Sequence, residues 1–286
     1  MKSYIYFAKE PDAGVRNDLK VISSLGNVTV VDCLNAYGDY YRKKGYNCIN
    51  KKKFFGMKGM KFDVTLGNPP YQKGKNSNFY VEVIKKAVEL TKEGGLVNLI
   101  TPNRFILPHT PASKIILDNF QVEKYWIDVN KHFPTVGTNI GMFRVRRSNM
   151  GHTGLCDFVL KDCSCVQLDP REISLPSKQP TLDGLDRFNI IKSLKHFTFI
   201  NQQPTHENYV YVCRQWKTKD GRPYFDAEVG HSKSNEKRDG RYVVTNKPQE
   251  VCDYLRSTDY ARELYQLFGD QMNIWPFLWN YIPSND

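Results

Sequence analysis

Asn68-Pro69-Pro70-Tyr71 follows directly on the apolar run Phe62-Asp63-Val64-Thr65-Leu66-Gly67, and these residue types at the end of a strand suit one kind of chemistry. An amine conjugated to a ring, such as the exocyclic amine of adenine, is a poor nucleophile because its lone pair is delocalised. The side-chain carbonyl of Asn68 and the backbone carbonyl of Pro69 each offer an acceptor for one N–H. Together they hold the amine and favour a tetrahedral, nucleophilic nitrogen. The two prolines fix φ and supply no donors, so the carbonyls of the turn stay directed at a ligand. Tyr71 adds a flat face on which an extruded base can stack. Asn and Pro also recur at ordinary strand-to-turn junctions. The apolar strand immediately ahead is the context that the chemical reading requires.

That turn needs a scaffold, and the first half of the chain carries the pattern of parallel βαβ units. Strands are expected at about residues 3–8, 28–32, 46–50, 62–67, 95–100, 122–128 and 140–146. Helices are expected at about 12–25, 38–44, 77–93 and 111–120. In the third helix Phe79, Val83, Ala87 and Leu90 recur at helical spacing, with Gly94-Gly95 as its stop. Ser148 to Gly154 is a polar, glycine-containing turn, and beyond it the composition shifts. Short strands are expected at Cys156–Leu160 and Tyr209–Trp216, a loop or hairpin arm over 217–241 and one helix over Val251–Phe268. The aromatic tail from Ile274 to Pro283 should pack on the body. Two domains follow, 1–150 and 151–286.

The segment from Phe62 to Tyr71 resembles the catalytic motif of the adenine-specific DNA amino-methyltransferases of restriction–modification systems, closest to the gamma-type group with its FD-x-x-x-GNPPY segment. Glu10-Pro11-Asp12-Ala13-Gly14 resembles the family's glycine loop for S-adenosylmethionine. Val28-Thr29-Val30-Val31-Asp32 resembles the strand whose terminal acid holds the cofactor ribose. Downstream, Leu96 to Phe105 resembles the family's next strand and its P-x-R-F segment, and His132 to Asn139 the segment whose aromatic covers the other face of the base. The similarity runs over roughly residues 3–147, and its specific part is the Asn-Pro-Pro-Tyr turn.

The resemblance implies an α/β fold: a methyltransferase-type Rossmann-like sheet, mostly parallel with an antiparallel closing strand. A smaller α+β C-terminal region would contact DNA and recognise the target. It implies a DNA adenine-N6 methyltransferase that transfers a methyl group from S-adenosylmethionine to a flipped adenine held at Asn68, Pro69, Pro70 and Tyr71. Glu10, Gly14, Asp32 and Asn50 would bind the cofactor, and Phe133 would be the second stacking aromatic. Physical chemistry suits two of these roles independently. Gly14 lets a backbone come close to a ligand near a helix start, and an acid ending a second strand, such as Asp32, accepts ribose hydroxyls in dinucleotide folds. The chain departs from the family pattern at Arg16, where a second glycine is usual, and at Lys51-Lys52-Lys53, where the family has an acid for the cofactor adenine. Arg16 would lie beside the methionine portion of the cofactor or swing out to solvent. These departures motivate an alternative: a catalytically impaired, methyltransferase-like nucleic-acid-binding protein, a decoy or a subunit, whose pocket a protein partner would complete. An RNA or protein amine is a third substrate class.

Charge separates nucleic acid from protein as a partner. The chain of 286 residues has a net charge of +11, but residues 1–150 hold 24 Lys and Arg against 12 Asp and Glu, and residues 151–286 hold 17 against 18. Ten of the basic residues and one acid, Asp63, fall within 42–75, bracketing the turn where a polyanion would have to lie. Lys51, Lys52, Lys53, Lys73 and Lys75 are the expected phosphate contacts, positioning a duplex without reading its sequence. Seven cysteines without framework spacing read as reduced thiols of a cytoplasmic protein. No run is long and apolar enough to span a bilayer. His152, Cys156, Cys163 and Cys165 lack paired C-x-x-C spacing, so no metal site is expected. No Walker loop, G-x-S-x-G or H-E-x-x-H occurs.

Overall fold

The computed structural model describes residues 1–8, 10–72, 78–108, 110–133, 136–172, 181–205, 208–220, 222–230, 240–268 and 276–284. They fall into two units, Met1–Leu175 and Pro176–Asp286.

The first unit is built on strands β1 (Lys2–Ala8), β2 (Gly26–Asp32), β3 (Asn47–Asn50), β4 (Phe62–Gly67), β5 (Thr91–Pro102), β6 (Phe120–Trp126), β7 (Ile140–Arg147), β8 (Cys156–Val159) and β9 (Cys165–Leu168). They form one sheet in the order β3-β2-β1-β4-β5-β7-β6-β8-β9. Strands β1 to β5 are mutually parallel, and β7 lies antiparallel between β5 and β6. This order, with β7 reversed between β5 and β6, is the methyltransferase-type Rossmann-like sheet, as expected; β9, antiparallel to β8, is a second reversed strand at the far edge. Crossovers α1 (Ala13–Leu25), α2 (Gly38–Lys43), α3 (Lys51–Gly56), α4 (Phe79–Leu90) and α5 (Pro111–Asn119) link the parallel strands.

Local signals explain most of these boundaries. Asp12 caps α1, its carboxylate accepting the Val15 N–H at 2.8 Å. Thr110 does the same for α5, with Pro111 in the first turn, where no N–H is missed. Alternate residues of β1 serve opposite faces: Tyr4, Tyr6 and Ala8 pack with Leu19, Ile22, Val30 and Tyr41, whereas Phe7 meets Phe54 edge-on at 5.1 Å. Further along the sheet Phe105 joins Tyr125 and Phe143 at 5.0 and 5.2 Å between ring centroids, geometry that adds to the area buried.

Three expectations are corrected here. The third helix ends at Leu90, and the chain enters β5 at Thr91, before Gly94-Gly95. Thr91 pairs with Phe62, so sheet pairing takes the residues that the glycines were expected to terminate. Gly94 sits at φ 73° inside the strand's irregular start. The polar turn after Ser148 does not end the unit: β8 pairs with β6 and β9 with β8, carrying the first unit to Leu175 and not 150. Helix α3 was not anticipated, because three lysines in its first turn hide the Asn50 cap, whose side chain accepts the Lys53 N–H at 2.8 Å.

The second unit contains α6 (Leu182–Ser193), β10 (Tyr209–Lys219), β11 (Arg222–Val229), β12 (Arg241–Val244), α7 (Pro248–Ser257) and α8 (Tyr260–Phe268). Its three strands form an antiparallel sheet in the order β11-β10-β12. The polar stretch from 217 thus supplies a hairpin arm, and the single helix expected over Val251–Phe268 is two helices broken at Thr258-Asp259. The core of this unit gathers Phe188, Val210, Val212, Phe225, Leu255 and Leu264. Leu278, Trp279 and Ile282 of the tail are buried in it, as their apolar character required; Ile274 and Trp275 lie outside the described residues.

Candidate active site

The Asn68–Tyr71 turn stands at the carboxyl end of β4, which lies between β1, the middle strand of the five parallel ones, and β5. At the opposite end of β4 the Asp63 carboxylate accepts the Ser3 N–H and hydroxyl at 2.8 Å each and the Lys92 ammonium at 2.9 Å. The Lys92 contact, followed by those from Ser3, holds the Asp63 carboxyl well below the usual carboxylate range. β1, β4 and β5 are thereby pinned together below the site. Above, Gly67 adopts φ 124°, and a Cβ there would lie 2.5 Å from the Phe7 carbonyl oxygen and 2.8 Å from its nitrogen. Only glycine lets β1 and β4 approach this closely where the strand turns into Asn68.

Pro69 is buried, and Asn68, Pro70 and Tyr71 are half-buried. The Tyr71 carbonyl accepts the Tyr80 N–H at 3.4 Å, which ties the turn to the start of α4. Burial pushes the Tyr71 hydroxyl up to about 12, with the neighbouring Asn68 side chain acting in the opposite direction. Asn68 Oδ1 is buried and has no hydrogen-bond partner among the described residues. A buried carbonyl without a partner costs about 1–3 kcal/mol, so such groups are rare and ask for a reason. A ligand N–H is the partner that an amide oxygen accepts.

Asp32 and Asn50, at the carboxyl ends of β2 and β3, line one cavity of about 390 Å3, together with Asn35, Lys53 and the Asp39–Arg42 ion pair. Asp32 is buried, its Oδ2 accepting the Tyr37 N–H at 2.8 Å and its Oδ1 the Leu34 N–H at 3.2 Å. Each oxygen keeps acceptor capacity beyond that one bond. Tyr41 is fully buried, and desolvation, then the nearby Asp32 charge, pushes its hydroxyl well above the ordinary range. The cavity's volume lies in the range of small-ligand pockets, and its acid and amides suit a ribose and a purine, the adenosine half of S-adenosylmethionine.

Glu10 and Gly14 do not line this cavity. Glu10 is exposed in the bend before α1. Gly14 is exposed in the helix's first turn, and an added Cβ would meet nothing nearer than Asp12 Oδ1 at 3.4 Å, so no close approach demands glycine there. Arg16 swings away to solvent, its guanidinium donating to the Pro11 carbonyl at 2.6 Å. The Asp12 carboxylate occupies the amino end of α1, where the carboxylate of a methionine moiety would otherwise be favoured.

Lys51, Lys52 and Lys53 form the first turn of α3, with Lys52 and Lys53 exposed and the Lys51 ammonium 6.0 Å from the centre of the Phe79 ring. Lys73 and Lys75 lie outside the described residues. Phe133 is half-buried in the segment after β6, at the same carboxyl edge of the sheet, with β5 and β7 between its strand and β4.

Two polar residues escaped the sequence reading. Asn98 on β5, paired with Leu66, also keeps a buried side-chain oxygen without a partner among the described residues; a lone Asn in a strand gives no signal in sequence. Asn35 has φ 56°, and its side chain accepts the Lys51 N–H at 3.3 Å, joining the loops after β2 and β3. An Asn three residues past a strand-ending acid is a recognisable left-handed turn former. Among the described residues no group of three or more His, Cys, Asp or Glu is arranged to hold a metal ion, no disulfide joins any of the cysteines and no helix is long and apolar enough to cross a membrane.

Comparison with known proteins bears on this edge of the sheet. Residues 29–133 match the family model of the Eco57I restriction-modification methylase, a span that takes in Asp32, Asn50, Asn68–Tyr71 and Phe133 and leaves out Glu10 and Gly14. No curated protein matches the chain. Among solved structures, TrmN from Thermus thermophilus is similar at 14% identity and a TM-score of 0.37, over 51% of this chain and 44% of that one. A putative class I S-adenosylmethionine-dependent methyltransferase from Listeria monocytogenes is similar at 15% identity and a TM-score of 0.39, over 52% of this chain and 55% of that one. A modification subunit of a putative type I restriction enzyme from Vibrio vulnificus YJ016 is similar at 11% identity and a TM-score of 0.39, over 55% of this chain and 42% of that one. The chain therefore spans about half the length of these proteins, and what the Eco57I-type methylase model describes is its segment 29–133.

Proposed function

We propose that the chain is a DNA adenine-N6 methyltransferase that uses S-adenosylmethionine. The observation that carries this reading is the buried Asn68 Oδ1 at the carboxyl end of β4, unpartnered among the described residues. With the Pro69 carbonyl it would accept the two N–H groups of the adenine amine and hold the nitrogen lone pair towards the methyl group. Tyr71 would stack on the flipped base, with Phe133 on its other face. Asp32 and Asn50 would hold the adenosine portion in the 390 Å3 cavity. When bound, the cofactor supplies a methyl group on a positive sulfonium, a good leaving group, so orientation provides much of the rate and no strong base is required. The Asp12 carboxylate at the α1 amino end disfavours the methionine carboxylate there. A partner protein or bound DNA is therefore assigned the task of completing that half of the pocket. Lys51, Lys52, Lys53, Lys73 and Lys75 would contact phosphates, and the second unit would contribute target recognition.

The test is transfer of labelled methyl groups from S-adenosylmethionine to duplex DNA, with separation of the modified nucleosides. Wild type is expected to yield N6-methyladenine, and Asn68→Ala to fall to a few per cent of its rate or less with DNA affinity nearly intact. Label in RNA or protein but not DNA would overturn the substrate assignment. An active Asn68→Ala variant would overturn the role of the turn.

A further inference from the structure

The second unit carries a concavity of about 500 Å3 between the β10–β11 hairpin and the junction of α7 with α8. Four cations line it: Lys219 and Arg222 from the hairpin, Arg256 from the end of α7 and Arg262 from the first turn of α8. Their side chains have no hydrogen-bond or ion-pair partner among the described residues. Elsewhere in this unit Arg187 is matched by Glu263 and Lys247 by Glu250. The gathering is not a spill-over of general basicity either, because residues 151–286 carry 17 basic residues against 18 acids.

The rest of the lining narrows the ligand. Three acids share the concavity, Asp220, Asp226 and Asp259, of which Asp226 faces the Lys217 ammonium at 4.0 Å. A site for a bare anion would exclude carboxylates; a site for a molecule with an anionic end and N–H donors at the other accommodates them. Guanidinium forks match phosphate oxygens, and carboxylates accept from base amines such as N4 of cytosine. Tyr224, half-buried on β11, lines the same space and offers a stacking face. The volume is that of a small-ligand pocket. We propose that this concavity binds a nucleotide, its phosphate on Arg222, Arg256 and Arg262, its base on Tyr224 and the base N–H groups towards the aspartates. A free nucleotide and a residue within a nucleic-acid strand present this same chemistry. The site lies wholly in the second unit and does not depend on the amine site at Asn68.

Calorimetric titration of the full chain with cytidine monophosphate tests it, with cytidine and inorganic phosphate as the two half-ligands. The nucleotide should bind, and each half-ligand at least tenfold more weakly. The triple variant Arg222→Gln, Arg256→Gln, Arg262→Gln should lose at least tenfold, Tyr224→Phe should retain binding and Tyr224→Ser should not. Asn68→Ala should leave it unchanged, which keeps this result distinct from the fate of the methylation reading. The three arginines are exposed and without partners among the described residues, so the triple variant should melt with wild type; if it melts lower, Arg256→Gln alone, expected to lose about threefold, replaces it. Competition by a short single-stranded oligonucleotide assigns the site to strands, and its failure to compete assigns the site to free nucleotides. No binding of cytidine monophosphate or oligonucleotide, or binding indifferent to the arginine substitutions, would overturn the proposal.

Discussion

Replacing Asn68 by Leu should separate what the site costs from what it does. Leucine keeps the same number of side-chain heavy atoms and the same branch point without a polar atom. Removing the buried Oδ1, unpartnered among the described residues, relieves about 1–3 kcal/mol, and losing the amide N–H donor, worth about as much as one ordinary hydrogen bond, costs about 0.5–1.5 kcal/mol. The difference favours the variant by roughly 1 kcal/mol, which corresponds to about 2–4 °C in the midpoint of a unit of this size. Thermal melts followed by circular dichroism, without cofactor or DNA, should therefore show Asn68→Leu unfolding at or above the wild-type temperature, while methyl transfer is abolished. Asn68→Asp, which keeps shape and acceptors but loses the donor, should be the less stable of the two. A leucine variant that melts several degrees lower would mean that Oδ1 already has a partner, and the reasoning from an orphaned acceptor would collapse.

Other residues lead to equally concrete expectations. Gly67→Ala forces a Cβ onto the Phe7 carbonyl at 2.5 Å in a left-handed conformation, so it should destabilise by about 1–3 kcal/mol; a wild-type melting temperature would refute the close approach. Changing Lys51, Lys52 and Lys53 together to Gln should weaken binding to all DNA sequences alike and reduce the salt slope by up to about 3. The fold should gain slightly, since these charges oppose the positive end of α3, and an unaltered slope would place the run off the phosphate path. His152 is buried, with Nδ1 accepting the Val122 N–H at 3.1 Å and Nε2 donating to the Gly154 carbonyl at 2.9 Å. Burial lowers its pKa, with Arg171 acting in the same direction and the Gly154 carbonyl and Asp169 in the opposite one. A depressed folded-state pKa means stability that is full above the ordinary histidine value, about 6.5, and is lost as pH falls below it. His152→Gln should flatten the pH dependence of stability in that acid window, and an unchanged profile would exclude His152 as its source.

Much of the fold was legible because its signals are local and agree with one another. The continuous apolar run of β1, the alternation of Phe62, Val64 and Leu66 in β4, and the capping residues Asp12 and Thr110 set limits that pairing and packing then kept. Failures came where a longer-range contact overrode a local one. Gly94-Gly95 is a helix stop only if the helix reaches it, and pairing of Thr91 with Phe62 claimed the chain first. At the site, the Asn-Pro-Pro-Tyr turn was legible because proline and a preceding strand constrain backbone direction. Side-chain direction was not: nothing in the sequence says that Arg16 turns back to Pro11 or that Asn50 caps α3.

The place of β7 has a consequence for the order in which the chain can be completed. β7 is made after β6, yet it lies between β6 and β5. Until residues 140–147 emerge, β5 and β6 have no neighbour on their facing sides, and the Phe105–Tyr125 pair lacks Phe143. A nascent or truncated chain stopping before Ile140 would thus expose two unpaired strand edges flanking a slot one strand wide. Such edges invite pairing with other chains. Strands β1 to β5 can assemble from successive crossovers, but the sheet closes only when the last-made of its central strands inserts. Fragments ending between Trp126 and Ile140 should be aggregation-prone, and those extending past Arg147 should regain solubility, with a peptide spanning Ile140–Arg147 able to rescue the shorter ones in trans.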